Sequence, residues 1–147
     1  MPRFLFACLI LITAFDVRAD VIDIDNAELA SLSASGVVVI DIRTATEWGE
    51  TGIVPGSHLL TYFDERGNAD PASWLEKVKV FAKPGDPVIV ICRSGNRTKT
   101  ASRFLSRQAG YVKVYNVKNG MRAWAGEGRP IVSAAPSLAS CREAKTC

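Results

Sequence analysis

Histidine is nearly missing from this chain: His58 is the only one in 147 residues. The four cysteines, at positions 8, 92, 141 and 147, show no zinc-like spacing, so no metal site is expected. No organic cofactor is implied either. Long basic runs are absent and the net charge is only +3, which gives no reason to expect a nucleic-acid partner. Internal repeats and low-complexity stretches are absent as well. The longest apolar run, residues 4–15 (FLFACLILITAF), is broken only by Thr13 and falls short of the ~20 residues that cross a bilayer as a helix. A stable membrane anchor is therefore not expected.

That run suits another purpose. It follows Arg3 and precedes Val17-Arg18-Ala19, small residues placed where a signal peptidase cuts. Residues 1–19 read as a secretory signal cleaved after Ala19, which predicts a periplasmic or secreted protein. Residues 20–132 then suffice for one domain and are too few for two. Residues 133–147 are small and polar and read as a loose tail. Removing the signal takes away Arg3, Arg18 and Asp16, so the charge falls to +2. Three cysteines remain for a disulfide-permissive compartment. Cys141 and Cys147 lie close together in the tail, so they are expected to pair and to leave Cys92 as the odd thiol.

Short apolar runs alternate with amphipathic stretches, predicting an α/β fold. The expected form is a mostly parallel sheet of about five strands with helices on both faces. Strands are expected at residues 21–24, 37–42, 57–60, 88–91 and 112–117. Asp25 or Asn26 caps a first helix, and Asp70 before Pro71 starts another, ended by Pro84-Gly85-Asp86-Pro87. Residues 88–91 (VIVI) are β-branched throughout, as in a strand covered on both faces. A helix follows from about Thr98, and a last short one covers residues 121–125. Trp48, Trp74 and Trp124 are expected to pack in or beside the core, and His58 to sit in its strand.

The segment Cys92-Arg93-Ser94-Gly95-Asn96-Arg97-Thr98 joins the clearest strand to a helix N-terminus. Ligands in open parallel sheets bind beyond the carboxyl ends of the strands, and a helix N-terminus offers unpaired N–H groups to an anion. Gly95 and Asn96 tolerate the left-handed angles a tight loop needs. A cysteine in such a place is a candidate thiolate nucleophile. Arg93 and Arg97 supply fixed charge and forked donors for an anionic substrate. Ser94 and Thr98 complete the expected binding loop.

The stretch VIVICRSGNRT resembles the active-site loop of rhodanese-like domains. Asp41-Ile42-Arg43 with Glu47-Trp48 is similar to that family's early D-x-R and E-[aromatic] signature. Residues 52–57 (GIVPGS) resemble its G-H-I-P-G-A turn, with the histidine replaced and one residue added before Gly52. Asn119-Gly120-Met121 with Trp124, Gly128 and Pro130 resembles the closing G-G-x-x-x-W…G-x-P segment. The resemblance implies a sulfurtransferase that takes sulfane sulfur from thiosulfate or a similar small anionic donor. Cys92 would carry it as a persulfide and pass it to cyanide, a thiol or a protein acceptor. Asp41, Arg43 and Glu47 would form a charge group fixing the loop after the second strand. Two other readings are a non-enzymatic persulfide carrier or partner-binding module, and a cysteine phosphatase or arsenate reductase. The latter class needs C-x5-R, whereas Cys92 to Arg97 is C-x4-R, a ring better sized for one sulfur atom.

Overall fold

The strand Val88–Ile91 lies at the centre of the molecule, with all four side chains buried. Alternation along it separates two cores. Val88 and Val90 face one side with Trp74, Val78, Ala101 and Leu105. Ile89 and Ile91 face the other with Leu29, Met121 and Trp124. A strand covered on both faces needs apolar residues at every position, which is why this run is not amphipathic.

The computed structural model describes residues 20–145. The expected signal segment and Cys147 lie outside the described residues. In chain order the elements are β1 (Asp20–Ile24), α1 (Asn26–Ala34), β2 (Val38–Asp41), α2 (Ala45–Thr51), β3 (His58–Leu59) and α3 (Pro71–Phe81). They continue as β4 (Val88–Ile91), α4 (Asn96–Arg107), β5 (Lys113–Val117), α5 (Gly120–Gly126) and α6 (Ala135–Glu143). The five strands form one sheet in the order β1-β5-β4-β2-β3, and every pairing is parallel. Helices α3 and α4 cover one face, and α1 and α5 the other.

Local chemistry sets most boundaries. Asp25 caps α1 in a capping box with Glu28, and Asp70 caps α3 with Pro71 in its first turn. Helix α4 begins at Asn96, two residues before the expected start, because Gly95 takes φ +86° and turns the chain at once into the helix. The three tryptophans are buried. The indole N–H groups of Trp74 and Trp124 donate to the carbonyls of Leu60 and Pro130. His58 stacks on Phe81 with ring centroids 4.0 Å apart.

Two helices depart from the sequence reading. Residues 45–51 form α2, started by a capping box of Thr44 and Glu47. From Ser133 the chain is not a loose tail as far as Glu143: α6 forms there and lays Leu138 beside Ala134, Trp48, Ile53 and Leu59. The driving term is the cover that α6 gives to the edge beside β3, which a composition of serine and alanine does not reveal.

Candidate active site

Cys92 follows the last residue of β4, at the carboxyl edge of the sheet, and is fully buried. Four residues, Cys92 to Gly95, turn the chain from the strand into α4. The Gly95 N–H donates to Cys92 Sγ at 3.2 Å. The thiol in turn donates to Thr98 Oγ1 at 3.8 Å, and that hydroxyl donates to the Gly95 carbonyl at 2.9 Å. Both ends of the loop are thereby tied to the sulfur.

Helix α5 holds the loop from behind. The Met121 N–H donates to the Cys92 carbonyl at 2.8 Å, and the Arg122 N–H donates to the Arg93 carbonyl at 3.0 Å. A trans peptide points its N–H opposite to its carbonyl. The N–H groups of Arg93 and Ser94 therefore point away from α5, and neither has a protein acceptor among the described residues. No side chain caps α4 either. This leaves several donors around the thiol for an anion. The close packing depends on two glycines. A Cβ at Gly95 would collide with the Lys118 backbone carbonyl, and one at Gly120 with the carbonyls of Cys92 and Arg93.

The expected charge group is rearranged. Asp41 and Arg43 form a buried ion pair, with Nη2–Oδ2 at 2.6 Å and Nε–Oδ1 at 3.0 Å. Arg43 also donates to Thr51 Oγ1 and to the Gly52 carbonyl, joining the end of β2 to the end of α2. The Glu47 carboxylate goes elsewhere. It takes both terminal nitrogens of Arg97, at 2.7 and 2.5 Å. Arg97, expected to grip a substrate with its fork, thus uses that fork on Glu47 and forms a wall beside the loop. Of the other loop residues, Arg93 and Asn96 are exposed, Ser94 is half-buried and Thr98 is buried.

Burial pushes the Glu47 carboxyl up, but the Arg97 hydrogen bonds and the Thr44 N–H outweigh it and hold it below the usual range. The Glu47 hydrogen bonds likewise raise the Arg97 guanidinium, against partial burial; the charge of Glu47 adds to the rise. A carboxylate lowered on folding stabilises the fold above its unfolded value, about 4.3, and loses that contribution as pH falls through the folded value. Glu47→Gln is therefore expected to unfold more easily than wild type at pH 7, with a narrower gap at an acid pH below the unfolded value. Urea midpoints at the two pH values check this, and an equal gap at both would remove the charge from the explanation.

Two clefts flank the Glu47–Arg97 pair. One is bordered by Thr44, Thr46, Phe63 and Asp64. The other, about 270 Å3, is bordered by Arg93, Arg122, Glu50 and Met121. Arg122 is a site candidate that the sequence reading missed; a lone arginine on a short helix carries no pattern. A larger cleft between β3, α3 and α6 is lined by no residue of the loop. Among the described residues no cluster of side chains suits a metal ion, and no helix is long and apolar enough to cross a membrane. Cys92 is free, whereas Cys141 is disulfide-bonded.

The chain is similar to a sulfurtransferase of Allochromatium vinosum, 33% identical over 114 residues, covering 76% of this chain and 94% of that protein. It is also similar to the thiosulfate sulfurtransferase GlpE of Actinobacillus pleuropneumoniae, 43% identical over 99 residues, covering 67% of this chain and 81% of the relative. Among solved structures, a rhodanese-related protein from Thermoplasma volcanium superposes with a TM-score of 0.59 at 29% identity, covering 76% of this chain and 97% of that one. The Rhodanese-like domain model matches residues 25–127, from the cap of α1 through α5 and across the whole Cys92 loop. With its sheet order, its loop and these likenesses in agreement, the chain belongs to the rhodanese-like domain family.

Proposed function

We propose that the protein is a sulfurtransferase that moves sulfane sulfur from thiosulfate, or a similar small anion, to a thiol or cyanide through a persulfide on Cys92. The observation that carries this reading is the setting of Cys92 Sγ. It is a free thiol at the carboxyl edge of β4 that accepts the Gly95 N–H, with the Arg93 and Ser94 N–H groups left unpaired. The relatives named sulfurtransferases support the same chemistry.

In the first step the Cys92 thiolate attacks the outer sulfur of thiosulfate. A new S–S bond forms on Cys92, the bond to the sulfonate sulfur breaks, and its electron pair leaves with sulfite. The loop N–H groups stabilise the negative sulfur that remains. In the second step an acceptor attacks the outer sulfur of the persulfide and the electron pair returns to Sγ. The intermediate is covalent, so ping-pong kinetics are expected. Arg93, Ser94 and Asn96 border the donor's path, while Arg97 and Glu47 fix its wall.

The chain is further proposed to act outside the cytoplasm after cleavage at Ala19, with Cys141 paired to Cys147. One peptide map of protein exposed to thiosulfate tests these readings together. It should show one extra sulfur on the Cys92 peptide, an N-terminus at Asp20 and a linked Cys141–Cys147 peptide. A Cys92 peptide that never gains sulfur would end the transfer reading. Turnover of an aryl phosphate instead would favour a phosphatase, and transfer to proteins but not to small acceptors a dedicated carrier.

A further inference from the structure

The three tryptophans do not share one fate. Trp74 and Trp124 give their indole N–H groups to main-chain carbonyls, whereas the N–H of Trp48, a residue 2% exposed, has no partner among the described residues. An indole nitrogen only donates, and a buried one needs an acceptor. Trp48 lines a cleft of about 370 Å3 between α2 and the segment leading into α6. Ile131, Val132 and Leu138 line it as well, the first two 41% and 43% exposed.

This cleft lies apart from the Cys92 loop, none of whose residues lines it. The wall from Ile131 to Leu138 comes after residue 127, where the rhodanese-like match ends. That wall is held in place: Ile53 and Val132 exchange N–H donors and carbonyls at 3.0 and 3.1 Å, and Leu138 packs against the cluster of Trp48 and Ile53. No lining residue carries a charge, in a chain where 22% of residues are Asp, Glu, Lys or Arg. A lone water at the indole would need about two to four polar partners. The Thr51 hydroxyl is engaged by Arg43 and the Glu47 carbonyl, and the Ser133 hydroxyl by the Ala135 N–H. The space therefore suits an uncharged body with one acceptor.

We infer that this cleft binds a small uncharged molecule, an apolar body carrying a carbonyl oxygen, and that Trp48 Nε1 donates to that oxygen. The body rests on Ile131, Val132 and Leu138, whose exposed apolar surface it removes from water. The volume of about 370 Å3 falls within the range of about 300–1,000 Å3 usual for such ligands. No lining cation is present to hold a carboxylate and no lining carboxylate to hold an amine, so the charge balance selects a neutral ligand. Binding involves no covalent step and does not depend on the proposed sulfur transfer.

Acetophenone is the probe, and α-methylstyrene is its twin of like shape without the oxygen. In isotope-labelled protein the three tryptophans give three indole N–H resonances. Acetophenone should move the Trp48 resonance saturably to lower field and leave those of Trp74 and Trp124 in place. The ratio of the two affinities, acetophenone over α-methylstyrene, should fall about fivefold from wild type to Trp48→Phe, the size of one ordinary hydrogen bond. Taking the ratio cancels the difference in hydrophobicity between the probes. A Trp48 resonance that acetophenone leaves unmoved, or a ratio unchanged in Trp48→Phe, overturns the inference. If Trp48→Phe fails to fold, Trp74→Phe and Trp124→Phe assign the resonance by elimination, and its response in wild type decides alone.

Discussion

Cys92→Ser is expected to abolish sulfur transfer from thiosulfate to cyanide, a fall of at least about a thousandfold, while the protein stays folded. A serine oxygen is not ionised at neutral pH and forms no persulfide, so neither half of the reaction has a route. The fold has little reason to suffer. The hydroxyl is smaller than the thiol and finds the Gly95 N–H and Thr98 Oγ1 already in place. The cost should stay near 1 kcal/mol, as for most single substitutions. Circular dichroism with a thiosulfate–cyanide assay separates the two effects. A folded variant that keeps a substantial part of the wild-type rate would remove Cys92 as the nucleophile.

The largest effect on stability is expected at Arg43. Its side chain is 1% exposed and Asp41 is 0% exposed. Removing one partner strands the other charge in the core, which costs about 3–5 kcal/mol. Arg43→Ala also frees the Thr51 hydroxyl and the Gly52 carbonyl. Against a whole-domain stability of about 5–15 kcal/mol, such a loss is a large share of the total. The carboxylate, not the lost volume, should dominate. Adding Asp41→Leu to Arg43→Met is therefore expected to recover much of what Arg43→Met alone loses, because the pair is then replaced by apolar atoms. Urea midpoints of the single and double variants check this. A loss under about 1 kcal/mol for Arg43→Ala, measured against that range, would show the pair to be a marginal contact.

The proposed site divides along the same line between local and distant causes. The Cys92 loop was legible because its determinants are neighbours in the chain: a β-branched run, a cysteine and a glycine free to take positive φ before a helix. Helix α2 was not, because seven residues with one buried tryptophan show no apolar period, and its capping box carries the start instead. The partner of Arg97 was not legible either. Glu47 lies fifty positions away, and only the parallel placement of β2 beside β4 brings their following segments together. Expecting Arg97 to be free for substrate ignored that competitor. Arg122 gained its place from α5 hydrogen-bonding to the loop, an interaction between backbones that no side-chain pattern encodes.

The sequence by itself determined the strand Val88–Ile91, the caps at Asp25 and Asp70, and the cysteine at the strand end. Each follows from preferences acting within a few residues. Tertiary structure alone decided which charges neutralise one another and that α6 forms to cover Trp48 and Ile53. Those outcomes depend on which side chains meet across the sheet, and Coulomb and burial terms are settled by distance in space and not by distance along the chain.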